Sequence, residues 1–288
     1  MLKLLFSTAA IVLLLSQIAF AQTGKVFDNL SMDSKILDQE RKFAVYLPPG
    51  YETSERSYPV LYLLHGYGDD QTGWVQFGEV LRITDEAIRT GKATPMIIVM
   101  PDANTGRIGY FNDVLNNWRY EDFFFEELMP YVEKKWRIKS EKRFRAISGL
   151  SMGGGGTFVY ALHRPDLFSS ACPLSAWLGP LSLQEFKNNL SSAEKNASAA
   201  TIEKHYKYHN PLELFQSMPL KDLKSVRWYI DCGDDDFLFE GNSLAHISLT
   251  KKKVPHEYRV RDGGHTWTYW RSSLPEVLAF VSDSFHQY

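Results

Sequence analysis

Two cysteines, Cys172 and Cys232, are all that the 288 residues contain, and neither belongs to a CxxC pair or any other zinc-ligand spacing. A metal site and a disulfide framework are therefore both unexpected. The two lie in apolar runs that read as neighbouring parallel strands. Their offset of about three residues, at about 3.3 Å each, exceeds the Cα separation a disulfide tolerates, so two buried free thiols are expected. A charge excess is also missing. The chain carries 32 basic and 34 acidic residues for a net charge of −2, and its longest basic run is Lys251-Lys252-Lys253, which excludes electrostatic tracking of nucleic acid. No internal repeat and no linker rich in Pro, Gly or Ser breaks the chain. Hydrophobic residues make up 44% and charged ones 23%, a composition able to bury a sizeable core.

The first 21 residues stand apart. Lys3 precedes an apolar run over 4–20 that Ser7, Thr8, Ser16 and Gln17 dilute, and Ala19-Phe20-Ala21 supplies the small-x-small pattern of signal peptidase. The run is too short and interrupted for a membrane span, which needs about 20 well-apolar residues. The expectation is a signal peptide cleaved after Ala21, leaving one exported domain, periplasmic or secreted, over 22–288. No second long apolar stretch follows, so stable membrane insertion after cleavage is not expected.

The rest alternates short apolar runs with segments of helical period. Runs at 42–47, 60–64, 96–100, 144–147, 170–174, 226–230 and 257–260 read as strands. Candidate helices lie near 78–91, 119–136, 152–164, 242–253 and 273–286. Near-continuous apolar strands separated by helices imply an α/β fold, with a mostly parallel sheet covered on both faces and ligands at the carboxyl ends of the strands. The polar stretch 181–219 reads as a small cap inserted over the sheet.

Chemistry then belongs just after strands. Gly149-Leu150-Ser151-Met152-Gly153 is a G-x-S-x-G between a strand and a helix, the setting in which a serine hydroxyl projects from a strained turn. A serine there could equally be a helix cap, and only its partners decide. Its hydroxyl needs a base, and the base needs a carboxylate to fix its tautomer. Downstream, Asp234-Asp235-Asp236 and Gly263-Gly264-His265 each follow a late strand, in the order Ser, acid, His. His265 is the candidate base; Asp236 is the preferred acid, with Asp234 second. The other histidines outside the strand ends (163, 205, 209, 246, 256 and 286) read as packing or surface residues. Oxyanion donors are expected from the backbone N–H groups of Met152, after the serine, and of Tyr67, in His65-Gly66-Tyr67-Gly68.

These segments, with Met100-Pro101-Asp102, Tyr120-Glu121-Asp122-Phe123 and Gly263-Gly264-His265-Thr266-Trp267, resemble the esterase D family of α/β hydrolases over about residues 35–285. That family includes feruloyl and acetyl xylan esterases, S-formylglutathione hydrolases, enterochelin esterases and mycolyl transferases. The resemblance implies the α/β-hydrolase fold, the triad Ser151, Asp236 and His265, an acyl-serine intermediate and no cofactor. Asp102 reads as a structural loop residue. Among aromatics near the expected site loops, which are Tyr110, Phe111, Trp118, Trp177, Phe237 and Trp267, the candidates for substrate contact are Trp177, Phe237 and Trp267. A serine esterase acting on a small or polysaccharide-linked feruloyl or acetyl ester is expected. An acyltransferase with the same triad and a non-catalytic binding protein on the same fold are the alternatives.

Overall fold

The computed structural model describes residues 23–106 and 109–286. The signal-peptide expectation falls on residues 1–21 and lies outside them. One eight-stranded sheet organises the described chain, in the order β1-β2-β4-β3-β5-β6-β7-β8. The strands are β1 (Lys25–Ser34), β2 (Gln39–Leu47), β3 (Val60–Leu64), β4 (Ile97–Pro101), β5 (Arg145–Leu150), β6 (Ser170–Leu174), β7 (Arg227–Gly233) and β8 (His256–Arg261). β2 runs antiparallel to both β1 and β4, and every other neighbouring pair is parallel.

The strand sequences explain the layering. β3, β4 and β6 are buried at every position, so both faces of the sheet need cover. Side chains alternate across the sheet: Leu61 and Leu63 join one apolar cluster with Ala146, Cys172 and Leu274, while Tyr62 and Leu64 join another with Ile147, Phe158 and Ala171. Helices supply that cover. α1 (Gly73–Gln76) and α2 (Val80–Arg89) follow β3; α3 (Tyr120–Phe123) runs through a π turn at Phe124–Leu128 into α4 (Met129–Lys135) after β4. α5 (Met152–His163) follows β5. Between β6 and β7 come α6 (Leu183–Asn189), α7 (Ala199–His209), α8 (Pro211–Ser217) and α9 (Leu220–Leu223). α10 (Phe239–Lys251) follows β7, and α11 (Trp267–Phe285) follows β8. In the segment after β6, Ser182, Ser198 and Asn210 accept backbone N–H bonds at the starts of α6, α7 and α8, which is why this polar stretch is helical.

Two elements differ from the sequence reading. β1 was not expected: most of its residues are exposed, it has no apolar run, and pairing with β2 forms it, with a register shift between Phe27 and Leu30. α11 starts at Trp267 rather than near 273, because the Thr266 side chain accepts from the Tyr269 N–H and turns the aromatic stretch into a helical first turn. Cys172 and Cys232 are buried and free. The register of β6 on β7 pairs Ala171 with Trp228 and Leu174 with Asp231, which keeps the two thiols staggered along the strands. Among the described residues no helix is long and apolar enough to cross a membrane.

Candidate active site

Ser151 occupies the turn from β5 into α5 with φ 54° and ψ −117°, a region that costs a residue with a side chain about 1–3 kcal/mol unless its surroundings hold it there. They do. Its N–H donates to Leu174 O at 2.9 Å, and its carbonyl accepts from Gly155 N–H at 3.0 Å and Trp177 N–H at 2.9 Å. The glycines that open α5 are poor helix formers, each about 1 kcal/mol worse than Ala, but the packing requires them. A Cβ on Gly153 would lie 2.6 Å from His65 O, and one on Gly155 would lie 2.1 Å from Trp177 O. The turn thus sits closer to its neighbouring loops than any side chain permits.

His265 Nε2 lies 2.9 Å from Ser151 Oγ, and its Nδ1 faces both carboxylate oxygens of Asp236, at 3.0 and 2.9 Å. Nδ1 facing a carboxylate holds the ring proton there and leaves Nε2 to accept from the serine. Of the three consecutive aspartates, Asp236 is the one turned inward; Asp234 Oδ1 accepts the Gly263 N–H at 3.1 Å, and Asp235 is exposed. Burial pushes the Asp236 carboxyl up, but hydrogen bonds from His265, the Leu238 N–H and the Ser175 hydroxyl outweigh it and hold the group below the usual carboxylate range. The His265 ring lies between Phe237, at 4.5 Å, and the edge-on Trp270, at 4.9 Å. Neither thiol competes as a nucleophile, since burial pushes Cys232 up to about 12 and Cys172 further still.

The loop after β3 reaches the serine. A Cβ on Gly66 would come within 3.5 Å of Ser151 Cβ, so Tyr67 follows directly beside the nucleophile. Its side chain is 86% exposed, and its N–H has no backbone acceptor among the described residues. The Met152 N–H is the first of α5, where no intrahelical partner exists. These are the two groups the sequence placed in an oxyanion hole. The loop is pinned by residues whose part the sequence did not reveal. His65 Nε2 accepts the Ala103 N–H at 2.8 Å while its Nδ1 donates to Gly66 O at 2.7 Å, and the Tyr110 hydroxyl bonds the His65 backbone. Asp102 accepts from Arg41 at 2.8 Å and stands outside the cavity over the serine.

That cavity measures about 380 Å³, with Ser151 and Met152 in its lining beside Tyr67, Phe111, Trp177 and Phe237. Of the three aromatics expected to contact substrate, Trp177 and Phe237 line this cavity and Trp267 does not. As the first residue of α11 it packs edge-on against Trp74 and Trp270 and beside Phe77. Tyr110 and Trp118 are likewise buried in the core. Ser175 was missed altogether: it follows β6, carries no motif, and holds its position through a left-handed backbone with φ 43°.

The sequence model of the family described as "Putative esterase" matches residues 34–281. The chain belongs to this esterase family. A solved structure of a ferulic acid esterase is 36% identical, covers 92% of this chain and 99% of its own, and superposes with a TM-score of 0.80; the fold is that of the α/β hydrolases. An esterase of Mycobacterium tuberculosis is 32% identical over 262 residues, which is 82% of this chain and 55% of that protein. An endo-1,4-beta-xylanase/feruloyl esterase of Xylanibacter ruminicola is 39% identical over 133 residues, 43% of this chain and 18% of that protein. The chain thus spans about half the length of the mycobacterial relative.

Proposed function

We propose that this chain is a serine carboxylic-ester hydrolase that works through an acyl-serine, on small or polysaccharide-linked esters of aromatic acids, with acetyl esters as the simpler case. The observation that carries the reading is the continuous hydrogen-bonded chain from Ser151 through His265 to Asp236, opening into a cavity of about 380 Å³. A cavity of that size falls within the range of small-molecule sites, about 300–1,000 Å³.

In this reading His265 Nε2 takes the Ser151 proton as Oγ attacks the ester carbonyl carbon. The carbonyl oxygen becomes an oxyanion held by the Met152 and Tyr67 N–H groups, the former at the positive end of α5. Collapse breaks the bond to the alcohol oxygen, which leaves with the proton from His265. Water then repeats the sequence on the acyl-serine, giving up one proton to His265 and releasing the acid. Asp236 keeps the imidazole in the required tautomer and balances its charge when protonated. Phe111, Trp177 and Phe237 offer faces to an aromatic acyl group, and relatives named as ferulic acid and feruloyl esterases support that class. Export through the N-terminal 21 residues and a cap formed by 181–219 belong to the same reading.

The test is hydrolysis of p-nitrophenyl acetate, p-nitrophenyl butyrate and methyl ferulate by the wild type and Ser151→Ala. Turnover confined to the wild type is the expected result, with kcat in the variant lower by about 10⁵- to 10⁶-fold. A folded Ser151→Ala protein that keeps its activity removes Ser151 from the mechanism. An acyl-enzyme that forms in the wild type but is discharged only by added alcohol makes the protein an acyltransferase.

A further inference from the structure

The sheet ends in two edges of different character. β1 is interrupted by the register shift between Phe27 and Leu30, and an irregular edge strand is a poor template for a further strand. β8 pairs with β7 without a break, from His256 opposite Trp228 to Arg261 opposite Gly233. Every residue of β8 is at least partly exposed, and among the described residues no strand lies beyond it. The Arg261 carbonyl accepts the Asp234 N–H at 3.1 Å and so faces β7. Backbone groups alternate in direction along a strand, which leaves the N–H and C=O of His256, Tyr258 and Val260 pointing out of the sheet.

Charge restricts how a second β8 can pair with this one. Two copies related by a two-fold axis run antiparallel, with outward-facing residues opposite each other. With the axis at Tyr258, Tyr258 faces itself and His256 faces Val260 of the other copy, so each outward N–H and C=O of these three residues finds a partner. Glu257 then lies opposite Arg259 on both sides of the axis, at the positions where side chains come closest. Moving the axis to residue 257 sets Glu257 against itself, and moving it to residue 259 does the same to Arg259; like charges directly opposite destabilise a pair. Within one chain Glu257 and Arg259 already pair, but both are exposed, and such a pair contributes little. The strand ends complete the match. Lys251-Lys252-Lys253 precedes β8, with residues 251 and 253 exposed, while past its other end Asp262 forms an exposed group with Asp234 and Asp235, their carboxylate oxygens within 4.8 Å of one another. The antiparallel arrangement sets the lysine end of each copy against the aspartate end of the other. Apolar surface adjoins the edge as well: Val260 is exposed, and so are Phe239 and Ile247 of α10, which share a side of that helix with Ser243, whose hydroxyl lies 3.0 Å from that of Tyr258.

We propose that β8 and the adjoining side of α10 bind a second copy of this chain, joined antiparallel at β8 about a two-fold axis at Tyr258, so that the two sheets become one. The proposal does not rest on the ester-hydrolase reading.

Sedimentation equilibrium tests it. The wild type is expected to dimerise with a dissociation constant on the order of 10 µM or tighter. Glu257→Arg and Arg259→Glu each set like charges across the axis and are each expected to weaken dimerisation by at least about tenfold. An equimolar mixture of the two variants is expected to regain the wild-type affinity, because one chain then carries two basic and the other two acidic residues along the contact. Recovery on mixing cannot come from the folding of either chain alone. Val260→Pro removes an N–H that faces away from β7, a change an edge strand tolerates, and is expected to weaken dimerisation while the urea midpoint stays near that of the wild type. A wild type that remains monomeric at about 100 µM overturns the proposal and leaves the edge to a strand of another protein or to solvent. Dimers that neither charge variant weakens, or that mixing does not restore, overturn it as well, since the contact then lies on another face.

Discussion

Trp270 donates its indole N–H to the Ser175 hydroxyl at 3.0 Å, and the same indole stands edge-on to the His265 ring. An indole N–H can only donate, so Ser175 Oγ accepts there and keeps its own proton for another partner; the Asp236 carboxylate and the Cys232 thiol both lie near it, and its hydroxyl favours the ionised form of each. Ser175 is fully buried, its backbone is left-handed, and its N–H is tied to Asp231 O at 2.7 Å. The end of β6 and the first turns of α11 thereby brace the acid and the base together.

Removing the Ser175 hydroxyl is therefore expected to loosen Asp236 and, through it, His265. Ser175→Ala should lower kcat by about ten- to a hundredfold, the scale of a small misplacement in a catalytic group, with KM close to wild type. Ser175→Gly relieves the φ of 43° but also lacks the hydroxyl, so steady-state kinetics should show the same loss. A glycine variant with wild-type kcat would mean that the hydroxyl is idle and only the backbone matters.

Asp236→Asn is expected to cost about 10⁴-fold in kcat, because an amide no longer holds the proton on His265 Nδ1. Asp234→Asn and Asp235→Asn should stay within a few-fold of wild type, since Asp234 supports only the Gly263 N–H and Asp235 is exposed. Parallel kinetics on the three variants decide the matter, and an equal loss at 234 or 235 would reassign the acid.

What could be read from the sequence was whatever leaves a local mark. β3, β4 and β6 are continuous apolar runs because both of their faces are covered, and the G-x-S-x-G and Gly-Gly-His loops mark strand ends. β1 left no such mark, since an exposed edge strand buries too little to need a hydrophobic pattern. Ser175 was invisible for a different reason: its place depends on a left-handed backbone and on partners from β7, the loop after it and α11. Trp267 misled because nearness to His265 in sequence does not survive the start of a helix, where successive residues point about 100° apart.

Gly155 controls how closely α5 approaches the loop that carries Trp177. A Cβ there would lie 2.1 Å from a backbone oxygen, which cannot swing aside as a flexible side chain can. Gly155→Ala gains about 1 kcal/mol in helix propensity, yet it should destabilise the protein by about 1–3 kcal/mol through the forced shift. Urea unfolding measures the balance. An unchanged or raised midpoint would show that the loop yields freely.

Glu121 links three helices, and its charge should make the fold sensitive to acid. In α3 it is 6% exposed, with Oε1 at 2.5 Å from His163 Nδ1 on α5 and Oε2 at 3.4 Å from His209 Nε2 on α7. Burial pushes its carboxyl up, but the two histidines outweigh burial and hold it at about 2. A carboxyl lowered in the folded state contributes stability that is present above its unfolded value, about 4.3, and is lost as pH falls toward the folded one. The displacement corresponds to about 3 kcal/mol. The wild type should therefore lose stability in urea between pH 6 and pH 3, while Glu121→Gln, less stable at pH 6, should lose clearly less over the same interval. If the two fall in parallel, the acid sensitivity comes from other carboxylates, and the clasp between α3, α5 and α7 does not depend on charge.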